Sequence, residues 1–275
     1  KDKIGLEQKG GYELLSPANS HYLEEIEEIN GLLKNQFSHP VFAESAKKLE
    51  EFKFGKTSHM VYNPFEGQLH SGKLIRSLWD YCNQLGVKTL TGTRVTSIDQ
   101  NEGSVDVNTE EIRFSAKAVA LCTNAFTKSL TKDHQLDITP GRGMVMLVES
   151  KEPIPFEGTF HYDEGYYYFR DYHGKVIFGG GRNLEIEKEQ TSEFGINKNI
   201  EQKLLLDLQE VILPGGEFKV EMKWSGIMAF GATKEPVIKQ LGSGLYLGVR
   251  LGGMGVALGS MVGNDLAAML EKDHF

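Results

Sequence analysis

Three stretches of this sequence carry residue types and spacings suited to chemistry. The first is Gly244-Leu-Tyr-Leu-Gly-Val-Arg-Leu-Gly-Gly-Met-Gly-Val256, running on to Leu270. An apolar run of strand length reaches Gly252, Gly253 and Gly255, and helix-forming residues follow. Strand, glycine turn and helix in that order aim backbone N–H groups and a positive helix end at one point, which suits an anionic or electron-rich ligand. Gly255, Gly259, Gly263 and Ala267 recur every fourth residue, so one helix face carries almost no side chain. Glycine costs a helix roughly 1 kcal/mol relative to alanine, so the stripe predicts a sheet or a flat cofactor against the backbone. A plain βα unit with tight packing accounts for the same pattern. The second stretch is Tyr166-Tyr167-Tyr168-Phe169-Arg170. In a strand Tyr166, Tyr168 and Arg170 share one face, and Tyr167 and Phe169 the other. Either set could wall a pocket whose phenols and guanidinium hold a small carboxylate, although packing is the commoner use of an aromatic sheet face. The third is Thr123-Asn124, at the carboxyl end of the apolar run 118–122, where open α/β sheets place their ligands. Arg142, between Gly141 and Gly143, could approach a ligand closely or serve as a plain charged loop.

Other chemistries lack their residues. The eight histidines are scattered without metal-ligand spacing, no G-x-S-x-G elbow occurs, and Gly179-Gly-Gly-Arg-Asn183 lacks the Lys-Ser/Thr of a P-loop. Between Arg250 and Asn264-Asp265 the uncharged run falls well short of the ~20 residues of a membrane span. A net charge of -8 gives no footprint for nucleic acid. Cys82 and Cys122, both in apolar surroundings, imply a reducing compartment without a disulfide framework, and a cytoplasmic location is expected. The 275 residues, 40% hydrophobic and 25% charged, suffice for one large or two smaller domains with a sizeable core.

The elements that position these stretches follow from periodicity. A strand, a Gly10-Gly11 turn and a second strand to Leu15 open the chain. Helices are predicted over 21–34, over 44–52, from Ser71 along Leu74, Ile75, Leu78, Cys82 and Leu85, and over 199–212 before Pro214-Gly-Gly. Strands are predicted at 87–90, 94–98, 104–107, 112–114, 144–148, 166–169, 175–178 and 220–224. Residues 118–122, uninterrupted and apolar, read as a strand buried on both faces. The fold class is therefore α/β with mixed α+β character. An α/β region of 70–126 and 223–275 interleaves with a mixed, antiparallel-rich region of 1–69 and 127–222.

As a set, these residues resemble the FAD-dependent amine oxidoreductases of the D-amino-acid-oxidase, glycine-oxidase and sarcosine-oxidase type. Gly11-Tyr-Glu-Leu-Leu15 is similar to that family's early glycine-led strand. Asn63-Pro-Phe-Glu-Gly-Gln-Leu-His-Ser-Gly-Lys-Leu-Ile75 resembles its P-x-x-G-x-x-x-P-x-x-L, with His70-Ser71 at the second proline. Residues 86–90 and 94–98 are similar to its adenosine-side strands. Ala120-Leu-Cys-Thr-Asn-Ala-Phe126 resembles A-T-G-A-W, Pro140-Gly-Arg-Gly-Met144 resembles P-x-R-G-Q, and Ile177-Phe-Gly-Gly-Gly181 resembles I-G-G-T. Trp224-Ser-Gly226 resembles W-x-G, and Gly244-Leu-Tyr-Leu247 with Gly252-Gly-Met-Gly-Val256 resembles the closing G-H-G-x-x-G. The matches span nearly the whole chain, in order.

The resemblance implies a Rossmann-like FAD-binding domain over 70–126 and 223–275, and a substrate-binding sheet domain over 1–69 and 127–222. It implies FAD near Val95, Cys122, Thr123 and Asn124 and at Gly252, Gly253, Met254, Gly255 and Val256. It implies a small amine or amino acid near Tyr166, Tyr167, Tyr168, Arg170 and Arg250, Tyr167 lying nearest the family's substrate-side tyrosine. The activity implied is hydride transfer from a C–H beside an amine nitrogen to flavin, with no obligatory general base. Two departures qualify this. The strand–GxGxxG–helix that binds the FAD pyrophosphate is missing, so the chain is expected to be a partial flavin domain that binds FAD weakly or not at all by itself. Met228 and Gly253 stand where family members carry carboxylate-binding arginines, which leaves Arg250, Arg170 or Arg182 for that role. A non-catalytic binding module on the flavoprotein scaffold is the alternative.

Overall fold

The computed structural model describes residues 2–131 and 135–274. In chain order the elements are β1 (Gly11–Leu15), α1 (Ile26–Leu33), β2 (Ala43–Glu44), α2 (Ala46–Phe52), β3 (His59–Asn63), α3 (Ser71–Gln84) and β4 (Val95–Asn101). Then come β5 (Ser104–Thr109), β6 (Arg113–Ala116), β7 (Val119–Leu121), α4 (Thr127–Leu130), β8 (Thr139–Ser150), β9 (Thr159–Tyr162), β10 (Tyr167–Tyr172) and β11 (Lys175–Gly180). The chain ends with α5 (Ile186–Glu189), α6 (Lys198–Asp207), β12 (Phe218–Phe230), β13 (Val237–Gly242), β14 (Leu245–Val249) and α7 (Gly255–His274). The class is mixed α/β, and the chain divides into two compact units.

Unit 1 comprises the residues up to Tyr81, Gly143–Glu185 and Gly195–Ser225. Its frame is an eight-stranded mixed sheet in the order β12-β8-β11-β10-β9-β1-β3-β2. The pairing of β1 with β9 is parallel, while β3 with β1, β10 with β9 and β11, and β11 with β8 are antiparallel. Period-two alternation sends Tyr12, Leu14, Met60, Met146, Phe160, Phe169 and Phe178 into one core with Phe52 of α2 and Ile200 and Leu204 of α6. The core is aromatic at its centre: Phe160 stacks on Phe169 at 4.7 Å and on Tyr12 at 5.0 Å. Each such side chain contributes about 1.5–3 kcal/mol on full burial. Helix α6 begins where the Asn197 side chain accepts the Asn199 N–H at 3.0 Å, and a π-helical turn at Leu208–Ile212 extends it toward Pro214.

Unit 2 comprises Cys82–Arg142, Ile186–Phe194 and the residues from Gly226 onward. One sheet has the order β13-β14-β7, with β14 parallel to β7 and antiparallel to β13, and β4-β5-β6 form an antiparallel second sheet. Helix α7 lies on β14 through Val262 and Leu266, which come within 3.0 Å of where a Cβ at Gly248 would sit. That glycine allows the close approach.

Several sequence expectations are corrected. The opening hairpin does not form. Glu7 instead exchanges both backbone hydrogen bonds, at 2.8 Å, with Gln68, so a distant segment captures the partner that a local turn was expected to supply. Residues 87–90 form no strand; Val87 and Leu90 are exposed and have no ladder to join. Strand β7 is an edge strand with Ala120 exposed, so it is not buried on both faces. Residues 17–25 are 3₁₀ and only Ile26–Leu33 is α-helical in the predicted 21–34 helix. The glycine stripe of α7 does not lie against the sheet: Gly255 faces only Leu251, and the rest is open. A Cβ at Gly259 or Gly263 would meet no atom within 4 Å, and the packed face is Val262 and Leu266. Of the predicted apolar stripe, Ile75 and Leu78 on α3 and Leu85 just after it are exposed.

Candidate functional site

In unit 2 the residues at the carboxyl ends of the parallel strands β7 and β14 meet. Asn124 follows β7 with a left-handed backbone (φ 46°), which asparagine tolerates better than most residues. Its side-chain Oδ1 accepts the N–H of Arg250 at 3.0 Å and of Leu251 at 3.3 Å. Gly252 N donates to Ala229 O at 2.9 Å, and α7 starts at Gly255. The first turn of a helix has N–H groups without intrahelical acceptors, so Gly255 and Val256 present such groups at this turn. Gly252 and Gly253 are open, since a Cβ on either would meet nothing within 4 Å. Met254 and Val256 are exposed beside them. Thr123 touches this corner through its hydroxyl, 2.9 Å from that of Thr127, and Val95 opens β4 in the second sheet. Cys122 is an exposed free thiol with its pKa raised by burial of the sulfur, so it is not an activated thiolate.

Arg250 is built into this corner. Its backbone is left-handed (φ 64°) and the residue is 8% exposed. The guanidinium donates to Glu235 O at 2.9 Å, Thr233 Oγ1 at 2.9 Å, Asp137 O at 3.2 Å and Asp137 Oδ2 at 2.5 Å. These bonds turn it toward the loop after β12. Arg142 is likewise engaged within unit 2, forked onto the buried carboxylate of Glu189 at 2.8 and 3.0 Å.

In unit 1 the tyrosine run divides between the sheet faces as strand alternation dictates. Tyr167 and Phe169 are buried in the helix-covered core, and Tyr168 is 39% exposed on the opposite face. Tyr166 lies just before the strand, against the core. Cross-strand register places Val61, Glu13, His161, Tyr168, Gly179 and Val145 side by side on the open face. Gly179 permits close packing there: a Cβ on it would come 2.6 Å from Met144 O and 3.0 Å from the Tyr168 ring. His161 forms an ion pair with Glu13. Burial works against a charged imidazole at this position; the hydrogen bond and charge of Glu13 outweigh it and raise the pKa, with Glu66 adding to the effect. Burial also raises the Tyr168 phenol. Arg170 shares the face but reaches back to Leu69 O at 2.9 Å.

Tyr167 contributes instead to a cleft of about 440 Å³ on the helix side. There it stacks on Tyr162 at 4.8 Å, and Tyr162 donates to the buried Asp207 at 2.8 Å. Lys203 bridges this carboxylate, at 2.5 Å, and the Tyr167 ring face, at 5.1 Å. Burial first, then the Asp207 charge, pushes the Tyr167 phenol up to about 12 and raises that of Tyr162 further. Glu13 and His161 were missed from the sequence. The available signal was a lone acid at the outward position of an otherwise apolar Gly11–Leu15, and a histidine alternating with Phe160 and Tyr162. Among the described residues no group of three or more His, Cys, Asp or Glu could hold a metal ion, and no helix is long and apolar enough to cross a membrane.

The sequence profile of the FAD dependent oxidoreductase (DAO) family matches residues 1–269. The chain belongs to this family. No curated protein sequence matches it significantly. Among solved structures it is similar to glycine oxidase from Geobacillus kaustophilus (TM-score 0.81, 18% identity, covering 99% of this chain and 73% of that one). It is also similar to iminodiacetate oxidase from Chelativorans sp. BNC1 (TM-score 0.83, 15% identity, 99% and 74%) and to L-proline dehydrogenase from P. horikoshii (TM-score 0.80, 16% identity, 98% and 74%). At these identities the likeness is one of fold. The family is FAD-dependent, and the turn at Gly252–Val256 fits a flavin ring: it offers open backbone, helix N-terminal N–H groups and two exposed apolar side chains.

Proposed function

We propose that this chain serves the oxidation of a small amine or amino acid, unit 2 contributing the glycine turn to FAD and unit 1 contributing the open sheet face to the substrate. The observation that carries the reading is the row Glu13–His161–Tyr168, a charged pair and a phenol side by side on an uncovered sheet face. FAD, when bound, supplies the two-electron acceptor for the C–H beside the amine nitrogen. The chain's own groups do the rest. Gly252 to Val256 and the positive end of α7 favour negative charge on the ring they face. The Tyr168 hydroxyl and the protonated His161 can donate to a substrate carboxylate, while Glu13 holds the imidazole in place and attracts the ammonium. Orientation of the substrate is what such a face contributes, worth several kcal/mol of barrier when the geometry is productive.

The test is anaerobic addition of amines and amino acids to the protein held with FAD at a concentration shown by flavin fluorescence to saturate it, following loss of the oxidised flavin absorbance. Bleaching by at least one amino acid is expected, with His161→Ala and Tyr168→Phe each raising the concentration required. No bleaching across a broad panel would sink the enzyme reading and favour a binding scaffold, for which the Met228 and Gly253 replacements of family arginines argue.

A further inference from the structure

A second, smaller hollow lies in unit 1, about 170 Å³ and lined by neither His161 nor Tyr168, where the Glu7–Gln68 bridge meets the end of β10. Its lining is polar at both ends. At one end Gln68 is 7% exposed and donates through Nε2 to Glu7 at 3.0 Å and to Asp171 at 3.1 Å. Those two carboxylates accept only, so they fix the amide's orientation and leave Oε1 as the acceptor. No described group donates to that buried Oε1. Buried amide oxygens are rarely left this way. Glu7 and Asp171 share Lys9, at 3.1 and 3.3 Å, with the more exposed Glu157. This end therefore keeps an acceptor character despite the lysine.

At the other end the lining supplies donors. The Lys73 N–H reaches His70 Nδ1 at 3.3 Å, which places the ring proton on Nε2, 3.4 Å from the Tyr172 hydroxyl oxygen. With that oxygen accepting from His70, the Tyr172 proton points elsewhere. The Arg170 guanidinium lies 5.5 Å over the Tyr172 ring, and the exposed Lys73 ammonium and His173 complete the wall.

We infer that this hollow is a binding site for a small zwitterionic amino acid, its ammonium toward Gln68 Oε1 and the Glu7 and Asp171 carboxylates, and its carboxylate toward Tyr172 and Lys73. The volume suits a glycine- to serine-sized molecule. The site includes neither His161 nor Tyr168, although it borders their sheet face at Arg170, and it does not depend on catalysis there. It gives the protein a place to sense the same class of molecule without transforming it.

Imidazole NMR of the full chain during titration with glycine, acetate and methylamine tests this. Glycine is expected to shift the His70 and His173 signals, with acetate and methylamine each binding at least about tenfold more weakly. Lys73→Ala, on an exposed helix face, is expected to weaken glycine about tenfold with the fold intact, and Gln68→Met to weaken methylamine selectively. Glycine shifts confined to His161 would overturn the site while leaving the substrate face standing. So would unmoved His70 and His173 signals, or unchanged binding in Lys73→Ala. Shifts at His70 and His173 in a protein that oxidises no amine would leave this site standing and sink only the catalytic reading.

Discussion

Asn124 offers the sharpest probe of how the corner between β7 and β14 is held. Its Oδ1 accepts two backbone N–H groups, from Arg250 and Leu251, and its own backbone is left-handed. In Asn124→Ala both bonds are lost, at about 1 kcal/mol net each, and alanine bears about 1 kcal/mol more for the left-handed conformation. The expected destabilisation of unit 2 is about 3 kcal/mol. Asn124→Gly removes the acceptor but not the backbone freedom, so it is expected to cost about 2 kcal/mol. Asn124→Asp keeps an acceptor and tolerates the backbone, and is expected to stay within about 1 kcal/mol of the parent. Trp79 and Trp224 both belong to unit 1, so tryptophan fluorescence would report on the wrong unit. Amide hydrogen exchange at Leu247 and Val249, in the buried β14, reads unit 2 directly. Alanine within about 0.5 kcal/mol of the parent, or aspartate as damaging as alanine, would refute the idea that this side chain ties the two strand ends together.

Four further outcomes are expected. Glu13→Gln should lower the His161 pKa in an NMR titration. Because the folded pKa is raised above the unfolded value of about 6.5, the pair's stabilisation is full below that pH and is lost as pH rises through the folded value; an unmoved pKa removes the pairing. Gly259→Ala and Gly263→Ala should each raise thermal stability by up to about 1 kcal/mol, since the added methyl meets nothing described. A loss of stability would mean that the stripe is packed after all. Titration of FAD into the protein, read by flavin fluorescence, should give weak affinity, because the sequence contains no GxGxxG to approach the pyrophosphate; tight binding would refute this. In a spectrophotometric titration Tyr12 and Tyr167 should both ionise near 12, and only Tyr167 should shift down in Asp207→Asn.

Periodicity carried most of the architecture. The alternation of the tyrosine run and the strand–glycine–helix order at Gly244–Leu270 could both be read because each depends on neighbours along the chain. What could not be read depends on partners far away in sequence. Gln68 decides the path of residues 5–10, and Leu121 lies on an edge strand despite its apolar surroundings. The site divides the same way. The open turn at Gly252 and Gly253 was visible as composition, but the attachment of Arg250 to Asp137 and Thr233 arises from a loop more than a hundred residues earlier and another nearby. Glu13 and His161 are 148 positions apart and become neighbours only through a parallel pairing, for which no local pattern exists.

The interleaving also dictates an order of events during synthesis. Unit 1 draws on three separate stretches, the last ending at Ser225, and unit 2 on three others, the last reaching α7. Neither can close its core early. The ribosome must deliver more than two hundred residues before the first unit is complete, and almost the entire chain before the second is. During that interval the aromatic strands of unit 1 and the edge of β7 wait unpaired, a condition that slows folding and exposes strands to self-association. The protein is thus one whose yield in a cell should depend on chaperone supply and translation rate more than on the stability of the finished fold.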